Sequence, residues 1–593
     1  MIRTPLRPLA RILRARTEGE NPDVIERENI QMRHEEMRDR ARRRAEGRLL
    51  VLGVMFFFAF GLIGSRMAVL AKSEPAEPRA SAAGVAILAQ RADIVDRKGR
   101  ILATNFDTYS LYAQPQQMVD PERAVAELIK IFPDLNAKRL LEDFTGKRKF
   151  LWIKKKISPE QNQAVYDIGE PGLLFGPREM RLYPNGKLAA HVLGGAGFGR
   201  EGVQSAEVVG VAGIEKYFDA RLRDPAQGHK PLTLSLDLSV QAATERVLYG
   251  GMKLMNAKGA AAVLMDVKTG EILSIASLPD FDPNERPHSA AKGDPADNPL
   301  FNRAVQGVYE LGSTFKIFAV AQAMELELIT AETMIDTRGP LKQDGFKIKD
   351  FRNYGPQLSA SDVIVKSSNV GTARIAKMIG AQRQQGFLKS LGFFDPTPLE
   401  IVEAKGGRPL LPDRWTELST MTVSYGHGLA TSPLHLAVGY AAIANGGYRV
   451  TPTLLQGGTP QPGPRVMSEA VAATARTMLR KVVTKGTARL GEVQGYAVAG
   501  KTGTADKPKP TGGYYEDKVI ATFASFFPAY DPKYVLIVSL DEPVETSGSE
   551  PRRTAGWTAV PVAAEIIRRV APLLGLRPEI EPAQLADITL TAN

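Results

Sequence analysis

Cysteine is absent from all 593 residues, which excludes disulfides, thiol catalysis and cysteine-ligated metals. That absence suits an oxidising compartment, where a stray thiol is a liability. Histidine is scarce: six residues, none at metal-ligand spacing. His191 and the others are therefore expected to be structural or on the surface, with His427, set beside glycines, a candidate for lining a cleft. No metal and no cofactor are expected. There is no low-complexity bulk, no internal repeat and no RNA- or DNA-binding motif. The net charge of +11 is accordingly read as compatible with a membrane surface or an anionic cell-wall polymer, with no nucleic-acid partner. The length is too great for one core and suggests roughly three or four units.

Leu49 to Gly64 is an uninterrupted apolar run, extended by Ala45 on one side and by Met67 to Ala71 on the other. Arg48 and Arg66 can snorkel to the headgroups. The 48 residues before the run hold thirteen arginines, five of them (Arg40, Arg42, Arg43, Arg44 and Arg48) against its edge. That bias places the N-terminus in the cytoplasm and the rest outside. A buried core helix would not carry such an arginine cluster. A cleaved signal peptide, suggested by Val69-Leu70-Ala71, would need a charged region far longer than signal peptides have, so an uncleaved anchor is favoured. The segment from Asp23 to Arg48 reads as helical.

Beyond the anchor, Ser73 to Ala83 reads as a linker, and Ala92 to Leu102 as a hairpin turning at Asp96-Arg97-Lys98-Gly99-Arg100. Helices are expected over Pro121 to Phe132 and Pro159 to Ile168. From about Pro231 the apolar periodicity is denser, with a strand over Leu232 to Leu238, a helix over Ser239 to Leu254 and two strands within Gly259 to Ser277. Ala497 to Ala505, Val519 to Pro528 and Tyr534 to Leu540 read as three more strands, followed by a closing helix over Trp557 to Leu574. Strands at both sequence ends with helices between imply one antiparallel sheet covered by helices, an α+β fold.

Three short words carry the chemistry: Ser313-Thr314-Phe315-Lys316, Ser367-Ser368-Asn369 and Lys501-Thr502-Gly503-Thr504. They supply a nucleophile, a relay hydroxyl and a cationic anchor for a carboxylate, with lysine where other acyl-transfer enzymes use histidine. Ser313 opens an apolar helix, and a spacing of three puts Lys316 on its face one turn on. Burial and the like charge of Lys501 would hold Lys316 neutral enough to take the serine proton. Two decoys are set aside by context. Ser289-Ala290-Ala291-Lys292 lies in a Pro/Gly/Asp-rich loop, and Lys268-Thr269-Gly270 sits where a hairpin turn needs polar residues and glycine. The small residues around Lys501-Thr502-Gly503 would instead let a peptide backbone add to a strand edge.

These words form the known penicillin-binding and β-lactamase signature. With them, Arg91 to Arg97, Arg181-Leu182-Tyr183-Pro184, Gly213-Ile214-Glu215, Asn302-Arg303-Ala304, Tyr309 to Ser313 and Tyr425-Gly426-His427-Gly428 make the chain resemble the class B penicillin-binding proteins. Within that class the Tyr-Glu before the nucleophile and the chain length favour the division-specific type. Leu311 departs from the family's usual proline, a packing difference with no loss of chemistry expected. The resemblance implies a cytoplasmic basic tail over 1–48, an anchor over 49–70, an elongated α+β pedestal over 71–230, a transpeptidase domain over 231–578 and a tail over 579–593. It implies a catalytic domain in the periplasm, held to the inner membrane by a single pass. It also implies that Ser313 attacks the D-Ala-D-Ala bond of a peptidoglycan stem peptide and forms an acyl-enzyme. Ser367 would relay a proton, Asn369 would orient Lys316 and the substrate amide, and Lys501, Thr502, Gly503 and Thr504 would bind the substrate end. The backbone N–H groups of Ser313 and Thr504 would form the oxyanion hole. β-Lactams are the implied inhibitors; an FtsW-type glycosyltransferase and other divisome proteins are the implied partners. An elongation-type enzyme, a serine β-lactamase and a non-catalytic scaffold are the competing readings, the last two disfavoured by the pedestal and by the intact words respectively.

Overall fold

The computed structural model describes residues 7–72, 91–201, 206–227, 230–288, 294–457, 463–509 and 511–579. The Ser73–Ala83 linker, the Ser289 decoy and nearly all of the 579–593 tail lie outside these. One helix, α1 (Pro22–Lys72), carries both the arginine-rich stretch and the apolar run. Within it, Ala45–Met67 is long and apolar enough to cross a membrane, and none of that window is buried by protein.

Next comes a mixed α and β region. β1 (Ile94–Val95) and β2 (Ile101–Ala113) form the expected hairpin, closed by the Asp96 carboxylate, which accepts from the backbone of Lys98 and Arg100. β3 (Leu151–Ile157) and β4 (Leu173–Leu182) flank β2, and β5 (Leu232–Thr233) pairs in parallel with β1. The strand expected over Leu232 to Leu238 is therefore much shorter. Leu234 only bridges to Leu455, and Asp237 is already the N-cap of the next helix, accepting from the Ser239 and Val240 amides. The two helices expected here run Pro121–Ile131 and Pro159–Tyr166, each started by proline.

Three words far apart in sequence meet at one buried carboxylate. Glu215 is fully buried and takes Arg91 Nε at 2.6 Å, Arg181 Nε at 2.7 Å and the Tyr183 hydroxyl at 3.2 Å. Asp219 accepts from Arg91 at 2.7 Å. Removing one partner of a buried ion pair strands the others, at about 3–5 kcal/mol. Glu215→Ala is thus expected to destabilise this region by about that amount, read by chemical denaturation, and Glu215→Gln by less, because the amide oxygen still accepts hydrogen bonds.

The C-terminal region is built on a five-stranded antiparallel sheet. α2 (Leu238–Leu254) leads into β6 (Gly259–Asp266) and β7 (Ile272–Leu278). α3 (Lys316–Glu325), α4 (Ala360–Lys366), α5 (Asn369–Ile379), α6 (Pro433–Ala444) and α7 (Glu469–Lys485) follow before the chain returns to the sheet. There it forms β8 (Ala499–Pro508), β9 (Tyr514–Phe527) and β10 (Tyr534–Asp541), closed by α8 (Ala559–Leu573). The strand order is β8-β9-β10-β6-β7, joining the two sequence ends through the β10–β6 pair. β6 and β7 are buried on both faces, which two helix layers explain: α2 with α8, and α6 with α7. Gly251 on α2 lies where a Cβ would meet Val562 of α8 at 2.5 Å. The β8–β9 hairpin runs several residues beyond the expected strands, to Pro508 opposite Tyr514. β8 is the edge strand, and it packs against the Gly312–Phe315 turn that carries Ser313 and against α7.

Candidate active site

Ser313 lies in a single turn of 3-10 helix, Gly312–Phe315, that runs straight into α3. Gly312 adopts φ +56°, and a Cβ there would stand 2.8 Å from the Thr504 carbonyl oxygen. From the other side, a Cβ on Gly503 would stand 2.2 Å from the Leu311 carbonyl oxygen. Glycine at both positions thus lets the serine turn and the edge of β8 touch backbone to backbone. Among the described residues the Ser313 hydroxyl makes no hydrogen bond, and its residue is half-buried.

Lys316, one turn on, is fully buried. Its Nζ donates to the Ser367 carbonyl at 2.5 Å and to the Ser367 hydroxyl at 3.1 Å. Lys501 on β8 is also fully buried and donates to the same hydroxyl at 2.9 Å, and to the Thr502 carbonyl at 3.1 Å. One hydroxyl therefore stands between two amines from elements 185 residues apart in number (501 minus 316). Burial is the main cause that holds the Lys316 ammonium well below its ordinary pKa. The like charge of Lys501 adds to it, against a smaller opposing pull from Asp350. Burial lowers Lys501 to about 7. Lys501 is thereby poised to hold or release a proton near neutrality, and Lys316 is biased toward the neutral amine.

Ser367 is presented by strained backbone. It caps α4 at φ 62°, ψ 45°, a left-handed conformation uncommon for a serine. The strain is held by Asp350, a residue with no signal in the sequence. Its carboxylate accepts from the Ser368 hydroxyl at 2.7 Å, the Asn369 amide at 2.5 Å and the Val370 amide at 3.0 Å, while Ser368 caps α5 through Gly371. Asn369 does not join the lysines in this structure. Its side-chain nitrogen donates to the Lys349 carbonyl at 3.0 Å, and among the described residues no hydrogen bond links it to Lys316.

On β8 the hydroxyls of the third word already have partners. Thr502 shares a 2.6 Å hydrogen bond with Thr487, and Thr504 accepts from the Ala555 amide at 3.0 Å. Thr487 and Ala555 escape a reading by motif because they lie in separate segments. The decoy Lys268-Thr269-Gly270 forms the β6–β7 turn, where Asp266 accepts from the amides of Lys268 and Thr269. His191 and His435 are buried, held by burial at about 4 and bonded to backbone carbonyls, hence structural. His427 is different: its Nδ1 lies 3.0 Å from Glu310, three residues before Ser313.

A buried lysine pair sharing a serine, beside a glycine-flanked serine turn and a sheet edge, is the apparatus of a serine acyltransferase of the penicillin-interacting kind. Comparison with known proteins agrees. Residues 260–568 match the penicillin-binding protein transpeptidase domain, and residues 86–233 match the penicillin-binding protein dimerisation domain. The chain is 34% identical to the probable peptidoglycan D,D-transpeptidase FtsI of Caulobacter vibrioides over 95% of both chains. It is 28% identical to the peptidoglycan D,D-transpeptidase FtsI of Escherichia coli, over 82% of this chain and 84% of that one. It is also 29% identical to the stage V sporulation protein D of Bacillus subtilis, over 82% and 79%. The chain belongs to the class B penicillin-binding proteins, the peptidoglycan D,D-transpeptidases that join a dimerisation domain to a transpeptidase domain.

Proposed function

We propose that the chain is a septal serine D,D-transpeptidase that works through a Ser313 acyl-enzyme, and the observation that carries this reading is the Ser367 hydroxyl bonded to both buried lysines. In this reading Ser313 Oγ attacks the carbonyl between the two terminal D-alanines of a stem peptide. Neutral Lys316 takes the serine proton. Ser367 passes a proton to the leaving amine, and D-alanine departs. An amine of a neighbouring stem peptide then displaces Ser313, which completes the cross-link. The donor peptide adds along the free edge of β8, where the Lys501 charge and the Thr502 and Thr504 hydroxyls meet its carboxylate. The backbone N–H groups of Ser313 and Thr504 face the developing oxyanion, which the contact of Gly312 with Thr504 supports. β-Lactams acylate the same serine. Asn369, through the Lys349 carbonyl, acts as a fastening of the Ser367 turn.

The Lys501 value fixes a pH dependence. The rate of acylation per mole of an anionic β-lactam reports the free protein. Below about 7 Lys501 is cationic and holds the carboxylate; above it the anchor is neutral. Acylation is therefore expected to fall as pH rises through about 7, by up to tenfold per unit, read by stopped-flow with a chromogenic cephalosporin.

The apolar helix within α1 and its arginine-rich flank support a single-pass inner-membrane anchor, with residues 1–48 in the cytoplasm and the catalytic region in the periplasm. We assign 71–230 to the pedestal and 231–578 to the transpeptidase domain. The similarity to two FtsI proteins supports the septal reading, which brings with it an FtsW-type glycosyltransferase and other divisome proteins as partners. Depleting the protein in its host is expected to give filaments with unfinished septa; round cells would assign it to elongation.

A further inference from the structure

Glu310 and His427 form a carboxylate–imidazole pair beside the nucleophile, and the serine–lysine scheme leaves it unused. Glu310 lies three residues before Ser313 on a segment laddered to the 425–431 loop. Tyr309 and Thr431 exchange backbone hydrogen bonds, and the Gly312 amide donates to the Gly426 carbonyl. A Cβ on Gly426 would stand 2.0 Å from the Gly312 carbonyl oxygen, so the loop is pressed against the residue that precedes the serine. The Glu310 carboxylate accepts from the Gly428 amide at 2.8 Å and from the Tyr514 hydroxyl at 3.0 Å, and meets His427 Nδ1 at 3.0 Å. Those bonds hold Glu310 below its ordinary pKa against the opposing effect of burial, and so ionised. Facing an ionised carboxylate, Nδ1 carries the proton, and Nε2 is left as the basic nitrogen. Among the described residues Nε2 has no hydrogen bond, and the ring is 32% exposed. The other titratable groups around the ring are Tyr425 on its own loop, Tyr514 on β9 and Asp506 on β8.

We propose that His427, oriented by Glu310, is the proton acceptor for the incoming amine in the second half of the reaction. This rests on the Ser313 acyl-enzyme reading. The need is chemical: the attacking group is a primary amine, which reaches the site as an ammonium without a lone pair to give. His427 Nε2 removes one proton from that ammonium. The freed nitrogen attacks the ester carbonyl, so that a C–N bond forms and the bond from carbon to Ser313 Oγ breaks. The second proton leaves the nitrogen through Ser367 and Lys316 to Ser313 Oγ. His427 returns its own proton to water. Lys316 thus serves acylation, and a base on the adjoining 425–431 loop serves the acceptor.

The test uses the full-length protein in detergent with a D-alanyl thioester donor and D-alanine as amine acceptor, reading the ratio of transfer to hydrolysis product. His427→Ala is expected to lower that ratio by about tenfold or more at pH 7. Added imidazole should restore it, and the deficit should shrink as pH rises and free amine accumulates. Glu310→Gln, which keeps the ring and removes its partner's charge, should give a smaller fall in the same ratio. An unchanged ratio in His427→Ala overturns the proposal. So does a lowered ratio that neither imidazole nor alkaline pH restores, since that is the mark of a packing role. Should His427→Ala misfold, His427→Gln is measured in its place, with the same alkaline recovery required. Failure of the parent reading looks different: the wild type would give neither product.

Discussion

Ser313→Ala is expected to lose covalent labelling by penicillin, with acylation falling by about 10⁴-fold or more, because no neighbouring group can replace the nucleophile. The comparison is clean because Ser313 makes no hydrogen bond among the described residues, so its removal leaves no orphaned partner. Stability should stay within about 0.5 kcal/mol of the wild type. Gel fluorescence with a labelled penicillin, read beside thermal unfolding of both proteins, checks the two statements together. A Ser313→Ala protein that still labels would place the ester elsewhere.

Lys316→Met has the second-largest expected effect. Methionine matches the length of the buried stem and carries neither a base nor a charge. Removing a general base costs about 10²–10⁴ in rate, and the upper end is expected here because the only other buried lysine among the described residues, Lys501, approaches through Ser367 and not through Ser313. The fold should persist: the variant exchanges a desolvated amine beside a like charge for an apolar side chain. Stopped-flow acylation should show the loss in the rate constant with the adduct, when formed, still on the same serine. A loss under tenfold would mean that another group takes the proton.

The parts of this site that could be read from sequence share one property: their geometry is local. Ser313 and Lys316 are one helical turn apart, so helix periodicity alone puts them on one face. The decoy at Lys268 could be dismissed because a turn between two apolar strands has its own requirement for polar residues and glycine. The five-stranded sheet was legible through its runs of apolar residues, although not the length of the β8–β9 hairpin, whose outer part is half-exposed and lacks such a run.

What sequence did not disclose depends on chain closure over long separations. Asp350 fastens the Ser367 turn from a loop beyond a short hairpin, and an aspartate in a loop has no spacing to betray it. Glu310 and His427 could each be singled out as neighbours of glycine-rich words, but their pairing spans 117 residues and the Tyr514 bond spans 204. Asn369 was expected on Lys316, and its amide is instead committed to the Lys349 carbonyl, a competitor that only the folded hairpin brings near. Arg91, Arg181 and Glu215 show the same limit in the pedestal: three words were recognisable, and their convergence on a single carboxylate was not.

In the proposed mechanism the hydroxyl of residue 313 becomes the ester carrier. Intact-mass spectrometry of the wild-type protein after brief exposure to a penicillin, followed by fragmentation of the labelled peptide, tests it most directly. One adduct per chain is expected, lodged on the peptide that contains Ser313-Thr314-Phe315-Lys316 and persisting long after the free drug is removed. An adduct on another serine, such as Ser289 or Ser367, or a mass that returns to that of the free protein within seconds, would contradict it.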